Sequence, residues 1–138
     1  MADGWTYPVL WINALGGIWV TRDDDHMFLG DKRSVASEAL LSGQFFDVSL
    51  HQWKVTGARF LHYRPFLSKW REYPFQRVGT IALETEALGA RLLTEIHECI
   101  CATVDRDTEF WESRSSIRDL KGSIRSTLSF QDLIALFN

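Results

Sequence analysis

Cysteine is scarce in this chain. Only Cys99 and Cys101 occur, and on a shared helix side chains two positions apart point about 200° away from each other, so bridging them would break that helix. Both are read as free thiols. With no basic segment ahead of the apolar stretch that opens the chain, they imply a reducing compartment, and the expected location is cytoplasmic. A long hydrophobic run is missing as well. The best candidate, Pro8 to Val20, is interrupted by Asn13 and by Gly16-Gly17 and falls short of the roughly 18 to 20 residues a membrane-spanning helix needs. Neither sign of charge dominates: 15 Lys and Arg stand against 18 Asp and Glu, a net charge of −3. That balance excludes nucleic-acid binding driven by the overall field and leaves only a local basic stripe able to do it.

The short signatures of common chemistry are absent too. There is no glycine-rich phosphate loop, no Gly-x-Ser-x-Gly elbow, no His-Glu-x-x-His and no Cys-x-x-Cys, so no cofactor is expected and non-enzymatic function is favoured over catalysis. The one recurrence, Ser-Ile-Arg at 116–118 and 123–125, is too short to define a repeat architecture.

What is present is apolar and aromatic. Hydrophobic residues make up 46 % and aromatics 13 % of 138 residues, enough to build one core and one domain, 1–138. Val9–Ile12 and Ile18–Val20 are β-branched and aromatic and flank Gly16-Gly17, so a hairpin or kinked strand is expected. A short strand is expected at His26–Leu29. The spacing of Val35, Ala36, Ala39 and Leu40 predicts a short helix over 34–41, with Gly43 beyond its end.

Phe46, Val48 and Leu50 then alternate with polar residues, and an extended run follows Thr56-Gly57. This predicts a hairpin turning at that dipeptide, in a register where paired numbers sum to 113. Trp53 would then oppose Phe60, and His51 would oppose His62. Phe75–Leu83 reads as another strand. From Glu86 to Val104 the apolar positions Leu88, Leu92, Ile96, Cys99, Ile100 and Thr103 share one helical face, with Thr85 as N-cap. Residues 105–116 fit loop or helix equally. Ser129 with Asp132 resembles a capping box ahead of a closing helix. The fold class is therefore α+β, a largely antiparallel sheet of about five strands packed against a long helix and C-terminal helices.

Several constellations could carry function. His51 and His62, if opposed, could share a metal or a proton, but two imidazoles lack a third ligand, and the plain alternative is a solvated sheet face. His97, Cys101 and Asp105 recur at i, i+4 and i+8, beside or on the exposed helical face, a spread that seldom converges on one ion. Asp23, Asp24, Asp25 and His26 suit a solvated turn, or an acidic surface that steers a basic partner. Arg114, Arg118, Lys121 and Arg125 would lie within about 60° on a helix, a basic stripe able to meet phosphates or an acidic protein. Six tryptophans include Trp53, Trp70 and Trp111 in segments not obviously facing a core, and aromatics beside arginine are the composition of interface hot spots.

The resulting expectation is a non-enzymatic protein-binding module, of which a small bacterial inhibitor or immunity protein that neutralises a toxin is one version. Trp53, Phe60, Arg64 and Trp70 would be its anchors and Asp23 to Asp25 would steer a separate protein partner, with a homodimer as the alternative assembly. The competing readings are a small enzyme or ligand-binding domain built on the His51/His62 face, and nucleic-acid binding through the basic stripe. No membrane is involved in any of them.

Overall fold

The computed structural model describes residues 4–23, 29–30, 36–63 and 79–138, with the backbone alone at 29–30 and 62–63. The β-strands are β1 (Val9–Ile12), β2 (Ile18–Thr21), β3 (Leu29–Gly30), β4 (Gln44–Phe46), β5 (His51–Tyr63) and β6 (Gly79–Ala90). The helices are α1 (Glu38–Leu41), α2 (Leu93–Val104), α3 (Thr108–Glu112), α4 (Ile117–Ser126) and α5 (Phe130–Ala135), with a 3-10 turn at Asp105–Asp107 between α2 and α3. The strands form one sheet in the order β2-β1-β4-β5-β6-β3, every neighbouring pair antiparallel. The α+β class with a mainly antiparallel sheet is thus as expected.

The first strand explains why the sheet has two covered faces. All four residues of β1 are buried, and because side chains alternate across a strand they divide between two cores. Leu10 and Ile12 join Phe46 of β4 and the helices, where Ile96, Ile100, Val104, Trp111, Ile124, Leu133 and Ile134 are buried. Val9 and Trp11 face the other way with Phe45, Trp5, Val55, Ile81 and Leu83. The helices therefore pack on one face, and the N-terminal segment and α1 lie against the other.

Two expectations fail in the middle of the chain. Thr56-Gly57 is not a turn: β5 runs straight through it, and Gly57 pairs with Glu84 of β6 at a bulge that leaves Thr56 without an opposite residue. A bulge takes up one extra residue without reversing the strand. The actual turn lies at residues 47–50, where the buried Asp47 carboxylate accepts the backbone N–H groups of Ser49 (2.9 Å) and His51 (3.1 Å) and Leu50 adopts a left-handed φ of 65°. Phe45 accordingly pairs with Trp53, and the predicted 113 register does not form.

The helix expected from Glu86 starts instead at Leu93, and Thr85 is a strand residue rather than a cap. Glu86, Ala87, Leu88 and Ala90 are good helix formers, but β5 pairs with Glu86, Ala87, Gly89 and Ala90, and pairing overrides a preference worth tenths of a kcal/mol per residue. At the true start the Glu95 carboxylate accepts the Leu92 N–H at 2.8 Å, which satisfies one of the open donors of the first turn.

Other elements match. Ser37 Oγ caps α1 by accepting Leu40 N–H, and Ser129 Oγ caps α5 by accepting Asp132 N–H. The segment that fitted loop or helix equally is mostly helical. The first part of the expected 34–41 helix, residues 26–28 of the expected short strand and residues 75–78 of the expected strand before Gly79 lie outside the described residues. No described helix is long and apolar enough to cross a membrane.

Candidate binding surface

The β1–β2 turn is held by its own amide side chain. Asn13 Oδ1 accepts the N–H groups of Leu15 and Gly17, both at 2.9 Å, the pattern by which asparagine closes a tight turn on itself. Gly16 adopts φ +87°, a left-handed conformation, with Asp107 so close that a Cβ would sit 2.6 Å from that residue's Cβ. The Gly16 carbonyl accepts the buried indole N–H of Trp111 at 2.9 Å. Arg106 donates to the Asn13 carbonyl at 3.2 Å, so the helical layer is fixed against the tip of the first hairpin at two points.

Beside that tie a cleft of about 440 Å³ opens along β2. Trp19, Phe110, Trp111, Arg114, Leu136 and Phe137 are among its lining residues. Phe110 and Phe137 each meet Trp111 edge to face, at 4.9 and 5.9 Å between ring centres, a favoured aromatic arrangement. Trp19 lies parallel to Trp11 at 5.4 Å, and the Arg114 guanidinium sits 4.8 Å over the Phe110 ring. Eight large hydrophobic side chains are exposed among the described residues, and two of them, Phe110 and Leu136, line this one cleft, whereas the Trp19 ring shares the other face of the sheet with Trp11.

Of the residues singled out from the sequence, Trp111 and Arg114 line this cleft, and the other described ones fall elsewhere. Trp53 is half-buried between Trp5 and Phe45 and donates its indole N–H to Asp47 at 3.2 Å. Phe60 is half-buried against the same core. Neither is an exposed anchor, because both lie on the inward face of β5. Asp23 is exposed just past β2. Asp24, Asp25, Arg64 and Trp70 lie outside the described residues, as does His26. His51 and His62 belong to one strand and pair with Ala90 and Thr80 respectively. Eleven positions of extended chain separate them by about 35 Å, so they do not form a site.

The basic stripe is partly neutralised. Lys121 pairs with Asp105 at 2.5 Å, and Arg125 makes two bonds to the Glu98 carboxylate at 2.9 and 3.1 Å. Those bonds hold the Glu98 carboxyl below its usual range and raise Arg125. Arg118 is exposed, and Arg114 precedes α4 and turns to the cleft.

The spacing predicts His97 and Cys101 beside or on the exposed face of the long helix, but both are buried. The start of α2 at Leu93 and the packing of α4 against it cover them. The only hydroxyl proton of Thr127 goes to the Ile124 carbonyl at 2.8 Å, so His97 Nε2–H donates to Thr127 Oγ1 at 2.7 Å. Burial keeps His97 below its ordinary value despite Glu98 beside it. Burial also pushes both thiols up, so the two free cysteines are weak nucleophiles. Among the described residues no group of three or more His, Cys, Asp and Glu is arranged to hold a metal.

The cleft is not legible in the sequence because its residues come from 17–19, 110–120 and 136–138, segments that only tertiary packing brings together. The sequence marks Trp111 only as a tryptophan in a segment with no obvious core pattern. No protein-family model, curated protein or solved structure matches this chain.

Proposed function

We propose that this chain is a non-enzymatic protein-binding module that engages a separate protein through the cleft beside β2. One observation carries the reading: Phe110 and Leu136, two of the large apolar side chains left exposed, line a single cleft together with Trp111, Phe137 and Arg114. Clustered aromatics with an arginine are the residue types that dominate binding energy at protein interfaces. A small bacterial inhibitor or immunity protein that neutralises a toxin by direct binding, working in the cytoplasm, is the version of this function that suits a chain of this size. The anchors are then the cleft residues, and Trp53 and Phe60 support the sheet behind them.

Affinity capture from the native host with the tagged chain tests the reading, run beside Phe110→Ala and Leu136→Ala variants. A stoichiometric protein partner that both substitutions weaken is the expected result. Retention of a small molecule with no protein partner would overturn it.

A further inference from the structure

The outer edge of β2 leaves backbone hydrogen-bonding groups open among the described residues. In the turn, Asn13 N–H donates to the Gly17 carbonyl at 3.2 Å, and the register Trp11↔Trp19, Val9↔Thr21 continues from it in steps of two. In an antiparallel ladder such alternate pairs exchange both backbone bonds. Trp19 and Thr21 therefore use their N–H and C=O groups toward β1, while those of Ile18 and Val20 point away from the sheet. No described residue lies against that edge as a seventh strand.

Edge strands are ordinarily blunted by lysine, proline, a bulge or extreme shortness. β2 reads Ile-Trp-Val-Thr in regular pairing over four residues and carries none of these devices. The side chains of Ile18 and Val20 pack toward the helical layer, and Ile18 lines the cleft together with Phe110, Leu136 and Phe137. A strand laid about 4.8 Å beyond β2 would place alternate side chains over Phe110, Leu136 and Phe137.

We propose, resting on the protein-binding reading above, that the partner contributes an extended segment that adds to the free edge of β2 as an antiparallel or parallel strand. Its chemistry follows from the edge: alternate apolar residues for the cleft and an acidic residue for Arg114, which pairs with no carboxylate among the described residues. A second copy of the chain suits this edge less well. Two-fold pairing of β2 with β2 keeps both helical layers on one side of the joined sheet and brings Arg114 toward its own mate, whereas an extended segment adds one strand and no second helical layer. Main-chain bonds then supply affinity and the cleft supplies selectivity.

The test is selection of a displayed library of random short linear peptides on the full chain, followed by backbone hydrogen exchange with the enriched peptides bound. Enriched sequences should alternate apolar residues and carry an acidic one, and the Ile18 and Val20 amides should slow by about tenfold or more. Val20→Pro removes one outward N–H and should abolish binding. Arg114→Glu changes an exposed side chain and should reverse the charge preference, which keeps the proposal testable if the proline variant fails to fold. Absence of enrichment, peptides that bind both variants like the parent, or concentration-dependent self-association protecting the same amides would each overturn it. A host partner whose binding survives both substitutions would leave the protein-binding reading intact while removing the added strand.

Discussion

Replacing Trp111 by phenylalanine tests whether the cleft and the first hairpin form one structural unit. The indole is buried, and its N–H is the side-chain bond that reaches the Gly16 carbonyl across 95 positions of sequence. Trp111→Phe keeps an aromatic ring for Phe110 and Phe137 but leaves that carbonyl without its donor. A buried acceptor left unpaired costs about 1–3 kcal/mol, and the void left by the smaller ring adds roughly 1 kcal/mol. The sum is about 3 kcal/mol, which in a domain of this size lowers the melting temperature by about 10 °C. Urea unfolding of both proteins gives the free energy, and exchange rates of the Gly16 and Gly17 amides show whether the turn loosens first. Trp19→Phe is the comparator: Trp19 is 37 % exposed and its loss should cost under about 1 kcal/mol. A Trp111→Phe penalty as small as that of the comparator, with the turn amides unchanged, would refute the idea that this bond ties the helices to β1–β2.

Four further outcomes follow from particular residues. Gly16→Ala should destabilise by more than about 2 kcal/mol in chemical denaturation, because it adds a clash with Asp107 to the cost of a left-handed alanine, whereas Gly89→Ala, at φ +97° with open space around it, should incur only the backbone cost of about 1–2 kcal/mol. Asp47→Ala should cost about 2–4 kcal/mol by the same assay, since it removes the acceptor shared by Ser49, His51 and Trp53. His97 should titrate below about 6.5 by NMR. Its folded value is depressed, so the unfolded chain binds the proton first: stability is complete above the unfolded value and is lost as pH falls from there toward the folded value, a slope that His97→Gln should flatten. Arg125→Ala, which breaks an exposed pair with Glu98, should change stability little, and any effect should shrink at high salt.

Local chemistry made several elements legible without tertiary information. The hairpin around Gly16-Gly17, the capped closing helix after Ser129 and the α+β class depend on turn residues, caps and apolar spacing, all of which act within a few positions. Asp47 carried a readable turn signal too, a short carboxylate two residues before Ser49, but the alternation of Phe46, Val48 and Leu50 masked it. Thr56-Gly57 misled because a glycine in a strand and a glycine in a turn look alike until the partner strand is known.

Tertiary structure decided what local preference could not. Glu86 to Ala90 became strand because β5 extends far enough to pair with them, and that pairing outweighs helical propensity. The same long strand separated His51 from His62 and turned Trp53 and Phe60 inward. The cleft exists only because α2 packs against β2 while Phe110, Trp111, Leu136 and Phe137, from segments distant in the chain, gather beside it. Sequence determined which residues can turn, cap and alternate, since those forces are short-ranged. Packing determined which backbone edge and which aromatic side chains remain open to another molecule, since that depends on contacts between segments far apart in the chain.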